Sequence, residues 1–197
     1  MPMIAPSANK SRPIYPEGLD FDPAGRHHVV AALGTAALVA LNGALSTLPA
    51  APVTILLADG DATLLPRSNG LIAMTFPGRD TLLKGFSALL AGSYMGIRVY
   101  AVGPEAFLWD VDRAAQDFGF GKYEVIKVPA GSIARRVYCC HCKTIDSGVA
   151  HDIHSCSGCG VMLQVRDHFS RRHGAFMGVR ADAEAPGELP VREMVFP

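Results

Sequence analysis

Charge of one sign is missing from this 197-residue chain: 18 Lys and Arg balance 18 Asp and Glu, for a formal net charge of zero. That balance argues against a strongly basic nucleic-acid binder and against a protein held electrostatically to a membrane surface. Charge of either sign is also scarce, at 18% of residues against about 25% in an average soluble domain. Long hydrophobic runs are absent as well. The best candidate, Val29 to Leu45, is broken by Gly34, Thr35, Asn42 and Gly43 and falls short of the ~20 apolar residues that a bilayer core requires. No membrane span is expected. Met1 to Pro13 lacks the apolar core of a secretory signal, so the expected compartment is the reducing cytoplasm. Cysteine is absent before Cys139, and all five cysteines lie between Cys139 and Cys159, a clustering that suits a metal site better than a disulfide framework.

What is present sorts into four stretches: a flexible arm at 1–26, an α/β domain at 27–130, a zinc ribbon at 131–166 and a C-terminal interaction arm at 167–197. The first carries Pro2, Pro6, Pro13, Pro16 and Pro23 with no apolar period, and reads as loose. From His27 onward, short aliphatic runs alternate with helical patterns. Strands are predicted at 28–32, 53–58, 71–76, 97–102 and 123–128, and helices at 35–48, from an Asp80 cap to 91, and 105–118. Strands joined by helical crossovers are parallel, so the expected fold is α/β, a small doubly wound parallel sheet with helices on both faces.

Beyond Pro129 the periodicity stops. Cys139 and Cys142 form one CxxC pair and Cys156 and Cys159 another, with thirteen residues, Lys143 to Ser155, between them. Each pair can turn two thiolates toward one ion, Gly160 lets the chain turn beneath the second, and two such knuckles complete a tetrahedron. Four thiolates with no open position describe a structural zinc site; iron in the same ligands is the alternative. Cys140 is left outside the set, and His141, His151 and His154 read as surface residues or as partners of the ligands. Within the last stretch, Arg166, His168, Phe169, Arg171, Arg172 and Phe176 combine planar donors with aromatic anchors, the chemistry of a protein interface.

The segments His28-Val29-Val30-Ala31-Ala32-Leu33-Gly34-Thr35 and Tyr100-Ala101-Val102-Gly103-Pro104-Glu105 resemble the nucleotide-binding half of ferredoxin-reductase-like flavoenzymes. That resemblance implies a ligand crevice at the carboxyl ends of the strands. Here the consecutive glycines of that family are replaced by Ala31, Ala32 and Leu33 before a single Gly34, and its late cysteine by Val102. The crevice is therefore degenerate, NAD(P) binding is not expected, and the sheet reads as a docking scaffold.

A second resemblance spans about His27 to Pro190. Met95-Gly96-Ile97-Arg98, Gly103-Pro104-Glu105-Ala106-Phe107-Leu108-Trp109, Ala134-Arg135-Arg136-Val137-Tyr138 with the two CxxC pairs, and Val165-Arg166-Asp167-His168-Phe169-Ser170-Arg171-Arg172 are similar to a small subunit of bacterial dimethylamine monooxygenase, a haem-dependent oxidative N-demethylase. The resemblance implies a cytoplasmic hetero-oligomer in which a haem subunit oxidises a secondary amine and a reductase delivers electrons from reduced nicotinamide. In that setting this chain is expected to be a non-catalytic accessory or assembly subunit. An iron-thiolate electron carrier and a stand-alone nucleic-acid-binding zinc ribbon are the alternatives.

Overall fold

A computed structural model describes residues 11–121 and 124–197, in two units: residues 15–132, and residues 11–14 together with 133–197. In the first, β1 (His27–Leu33), α1 (Thr35–Leu45), β2 (Val53–Ala58), β3 (Leu71–Phe76), α2 (Arg79–Ala91), β4 (Ile97–Gly103), α3 (Glu105–Gln116) and β5 (Val125–Pro129) follow one another, with a 3-10 turn at Ala62–Leu64 between β2 and β3. All the strands pair in parallel, in the order β3-β2-β1-β4-β5. The chain winds outward from β1 to β3, then crosses back to β4 through α2, which is the doubly wound plan expected from the sequence.

Alternate residues of the central strands feed two cores. Val29, Ala31, Leu56, Val99 and Ala101 pack against Leu82 and Phe86 of α2 and Phe107, Leu108 and Val111 of α3. Val30, Ala32, Ile55, Leu57, Tyr100 and Val102 face Leu38 and Leu41 of α1 on the other side. Burial on both faces explains why β2 reads as an unbroken apolar run. The margin is different: β3 is an edge strand without a charged residue, and its Ile72 and Met74 are exposed.

Three details differ from expectation. Helix α2 starts at Arg79 rather than from an Asp80 cap; Thr81 Oγ1 accepts from Gly78 N at 3.2 Å and donates to Gly78 O at 2.7 Å, and Asp80 lies within the first turn. Helices α1 and α3 end at Leu45 and Gln116, short of 48 and 118. Strand β5 begins at Val125, and Tyr123 of the expected strand lies outside the described residues.

The expected loose arm at 1–26 is corrected from Tyr15 onward. Leu19 is buried, and it and Phe21 join the α1-side core. At one end of this segment the Tyr15 hydroxyl donates to Glu105 Oε1 at 2.6 Å and accepts from Trp109 Nε1 at 2.9 Å. At the other, Asp22 pairs with Arg98 Nε at 2.5 Å, Asp22 N donates to the Tyr100 hydroxyl at 2.9 Å, and Arg26 N donates to Gly96 O. Prolines that break periodicity do not prevent docking when two apolar side chains find a sheet face.

The same segment covers His28, which is fully buried with Nδ1 3.1 Å from the Tyr100 hydroxyl and the Phe21 ring edge-on at 5.1 Å. Burial lowers the His28 pKa from 6.5; Asp22 opposes this, while His27 and Arg98 add to it. A depressed histidine contributes stability above its unfolded value near 6.5, and loses it as pH falls through the lower native value, because the unfolded chain takes the proton first. Urea unfolding is therefore expected to show lower stability at pH 5 than at pH 7.5, with a smaller difference in His28→Leu. His27, also lowered by burial, accounts for the residual slope. Parallel curves for the two proteins would assign the effect elsewhere.

The second unit carries β6 (Arg135–Cys139), β7 (Ile145–Val149), β8 (Ile153–Ser155), β9 (Met162–Ser170) and β10 (Ala175–Arg180) in the order β7-β6-β10-β9-β8. The pairs are antiparallel except for β6 with β10. Here too an expectation is corrected: the boundary at 166/167 falls inside β9, and β9 and β10 are internal strands, so the segment without regular strands begins only after Arg180. Val165, Phe169 and Phe176 are buried and hold these strands in the sheet, whereas Arg171 and Arg172 stand exposed at the turn between them. Two outlying segments also join the sheet. Ser11 pairs alongside His168 of β9, and residues near Met194 return to His151, with Val195 N and Phe196 N donating to Ala150 O.

Candidate metal centre

Cysteines at CxxC spacing occupy two turns. The first lies at the end of β6, where Cys139 N donates to Thr144 O and Lys143 N to Cys139 O. The second follows β8, where Cys156 N donates to Val161 O and Gly160 N to Cys156 O. The residue after each knuckle's second cysteine turns left-handed: Lys143 at φ 72° and Gly160 at φ 71°. The two halves of the site therefore repeat one local design, one of them with a side chain where glycine is the unstrained choice. Gly158 fits because a Cβ there would strike Thr144 Oγ1 and come within 3.2 Å of Cys142 Sγ.

The turns bring Cys139, Cys142, Cys156 and Cys159 together, with all four Sγ atoms within 4.8 Å of one another. Cys142 and Cys156 are 3.5 Å apart, and Cys139 and Cys159 3.9 Å. A tetrahedral ion with metal–sulfur bonds of ~2.3 Å needs sulfur–sulfur edges of ~3.8 Å. The donor set and its spacing fit such an ion, and the cluster can bind a metal. Cys139 and Cys156 are buried and the other two half-buried, so the cluster lies at the edge of the unit's core.

The polar groups around the sulfurs favour thiolate at one corner. Thr144, through its hydroxyl at 3.3 Å and its N–H, brings Cys142 down to about 6. At Cys159 the Val161 N–H pulls downward, but burial and the three neighbouring sulfurs push it up to about 12. A divalent cation bound among such sulfurs would supply the positive charge that favours their thiolate forms.

The other residues singled out from the sequence stand outside the cluster. Cys140 is half-buried, its thiol pushed up by burial, and its N–H donates to Gly178 O. His141 is exposed, and His151 Nδ1 lies 3.1 Å from an Arg192 nitrogen. His154 Nε2 lies 2.8 Å from Asp146 Oδ2. Sequence reasoning missed Asp146, Thr144 and Lys143, which shape the site without being cysteines. It also missed a clamp behind it: the buried Arg135 guanidinium lies 3.9 Å from the centre of the Phe176 ring and 3.7 Å from that of Phe196, and pairs with Asp167 at 2.9 Å. Asp167 also pairs with Arg12. Of the six expected interface residues, Phe169 and Phe176 are core, packed edge to face at 5.0 Å.

Among the described residues, no helix is long and apolar enough to cross a membrane. Comparison with known proteins adds the family. The curated proteins include a heme-dependent oxidative N-demethylase delta subunit from Ectopseudomonas mendocina (strain ymp), 33% identical over 150 residues, which cover 71% of this chain and 86% of that protein. Solved structures include a siderophore-interacting protein from Acinetobacter baumannii, with TM-score 0.49 and 19% identity over 58% of this chain and 49% of that one. Another is the siderophore-interacting protein SipS from Aeromonas hydrophila, with TM-score 0.43 and 20% identity over 54% and 50%. This chain spans about half the length of each matched structure, and these partial likenesses bear on no ligand or activity. The family model for the N-terminal domain of "Dimethylamine monooxygenase subunit DmmA-like" proteins matches residues 8–125, and that for their C-terminal domain matches residues 136–179. With more than half its length matched in this way, the chain belongs to the dimethylamine monooxygenase subunit DmmA-like family.

Proposed function

We propose that this chain is a non-catalytic accessory subunit of a cytoplasmic, multicomponent oxidoreductase that oxidatively N-demethylates a secondary amine, and that Cys139, Cys142, Cys156 and Cys159 hold one structural zinc ion. Its partners are a haem subunit, which carries the oxidation, and a reductase, which draws electrons from NAD(P)H. The observation that carries the reading is the closed set of four sulfurs within 4.8 Å of one another, in a chain whose relative is named a delta subunit of an N-demethylase. Four thiolates leave a zinc ion no position for water or substrate, so the ion joins two turns rather than activating a reactant.

The sheet is read as scaffold. The crevice of a doubly wound fold opens where β1 and β4 diverge, flanked here by Gly34 and by Gly103 and Pro104. In this fold a pyrophosphate meets free N–H groups at the first turn of the helix after β1, here α1, where Ala31, Ala32 and Leu33 precede a single Gly34 in place of consecutive glycines. Without those glycines the backbone does not approach a phosphate closely, and NAD(P) is not expected to bind.

The test is co-expression with candidate haem and reductase subunits, followed by sizing and metal analysis. The expected outcome is one eluting complex in which this chain carries about one zinc ion per four-cysteine site. Failure to co-elute would overturn the subunit role. A thiolate-to-iron absorption band bleached by reductant would replace the structural zinc with an electron carrier.

A further inference from the structure

We propose that Asp146 is a positioning residue for the four-cysteine site: it ties one knuckle to the other through hydrogen bonds that do not pass through the metal, and so governs how slowly the ion leaves. The inference rests on the metal reading above. Asp146 lies on β7, in the hairpin whose turn carries Cys139 and Cys142, and is 8% exposed. Its carboxylate reaches the other half of the site. Oδ2 accepts from Ser157 N at 3.1 Å and lies 2.8 Å from His154 Nε2, while Oδ1 accepts from the Ser157 hydroxyl. Ser157 is inside the second knuckle, between Cys156 and Cys159, and His154 is on β8, which leads into it. One side chain from the first half thus gathers three donors from the second.

Electrostatics alone does not place a carboxylate here. Four thiolates around a divalent ion already carry net negative charge, and a further anion nearby is unfavourable for them. What Asp146 supplies is acceptor geometry. It presets the distance between the turns, so less freedom remains to be lost when sulfurs close on an ion, and an opened sulfur stays near its partners. An asparagine can reproduce most of this: its oxygen can take the Ser157 N–H and His154, and its NH₂ can donate to Ser157 Oγ, whose proton is free to turn.

The experiment uses the full chain loaded with zinc, and follows zinc release to an excess of a chromophoric chelator. Circular dichroism verifies folding, and the cobalt-substituted protein reports ligand geometry through its absorption bands. Asp146→Ala is expected to release zinc about 10- to 100-fold faster than the wild type, the factor by which metal affinity falls when residues that orient metal ligands are removed, expressed here in the release rate. Asp146→Asn is expected to restore the rate to within about threefold and to keep the wild-type cobalt bands. Should Asp146→Ala fail to fold, Ser157→Ala, which deletes a single bond, carries the test, with an expected acceleration of about three- to tenfold. If the wild type binds no ion, the metal reading itself fails. If the wild type is loaded but folded Asp146→Ala, or Ser157→Ala in its place, releases zinc at the wild-type rate, the metal reading stands and the role of Asp146 is overturned. Asparagine as fast as alanine would overturn it too, since hydrogen-bond geometry would then not be the cause.

Discussion

If the four cysteines hold zinc as proposed, Cys156→Ser is expected to lose the ion and to melt the sheet formed by β6 to β10 while the parallel sheet stays folded. Cys156 is 2% exposed and its Sγ lies 3.5 Å from that of Cys142; a serine hydroxyl is too short and too weakly acidic to stand in as a thiolate. Binding of a structural zinc ion contributes on the order of 10–16 kcal/mol of apparent free energy in small zinc modules, as much as the whole stability of a typical small domain. The second knuckle is held to the sheet on one side by β8, which is three residues long, so its turn opens first. The parallel sheet has its own two cores, and Trp109, the chain's single tryptophan, lies within it. Limited proteolysis should therefore cut within the cysteine block while tryptophan emission is unchanged. A variant that resists cleavage there as the wild type does would show that the strands, not the ion, hold this sheet.

Arg135→Ala is expected to cost about 2–4 kcal/mol in the same sheet, chiefly through the loss of its two cation–π contacts. The guanidinium is buried between two phenylalanine rings, where cation–π contacts are worth ~2 kcal/mol or more once desolvated, and it pairs with Asp167. Its removal leaves the Asp167 carboxylate with Arg12 and uncovers the face of Phe196, which anchors the returning C-terminal residues. Arg135→Lys keeps the charge but not the flat, stacking group, and should recover less than half of the loss. Urea unfolding followed by far-ultraviolet circular dichroism reads both variants. An alanine variant as stable as the wild type would mean that the rings repack without the cation.

Particular residues show what could be read in advance. The parallel sheet was legible because strands buried on both faces spell continuous runs, as Val53 to Ala58 does, and because Leu82, Phe86 and Leu90 repeat at helical spacing. The cysteine cluster was legible because CxxC dictates a turn. Strand β9 was not. Its apolar residues do alternate, at Leu163, Val165 and Phe169, but Arg166, Asp167 and His168 among them read as part of an extended interaction arm. The charge at Asp167 is explained only by Arg135 and Arg12, far away in the sequence. Docking of Leu19 and Phe21 was equally hidden, since two apolar residues among prolines have no period. Asp146 lacked any local mark, because its meaning comes from Ser157, which only the folded knuckle brings near.

The pairing of Ser11 with β9 has a consequence for synthesis. Residues 15–132 form a complete unit of their own, so as the chain leaves the ribosome this unit can fold while the cysteines are still inside the tunnel. Ser11 must meanwhile wait, unpaired, for a strand made more than a hundred and fifty residues later. On the zinc reading proposed above, capture of the ion and closure of the last sheet are late events, and nascent chains stalled before Cys159 should carry a finished parallel sheet and no bound metal.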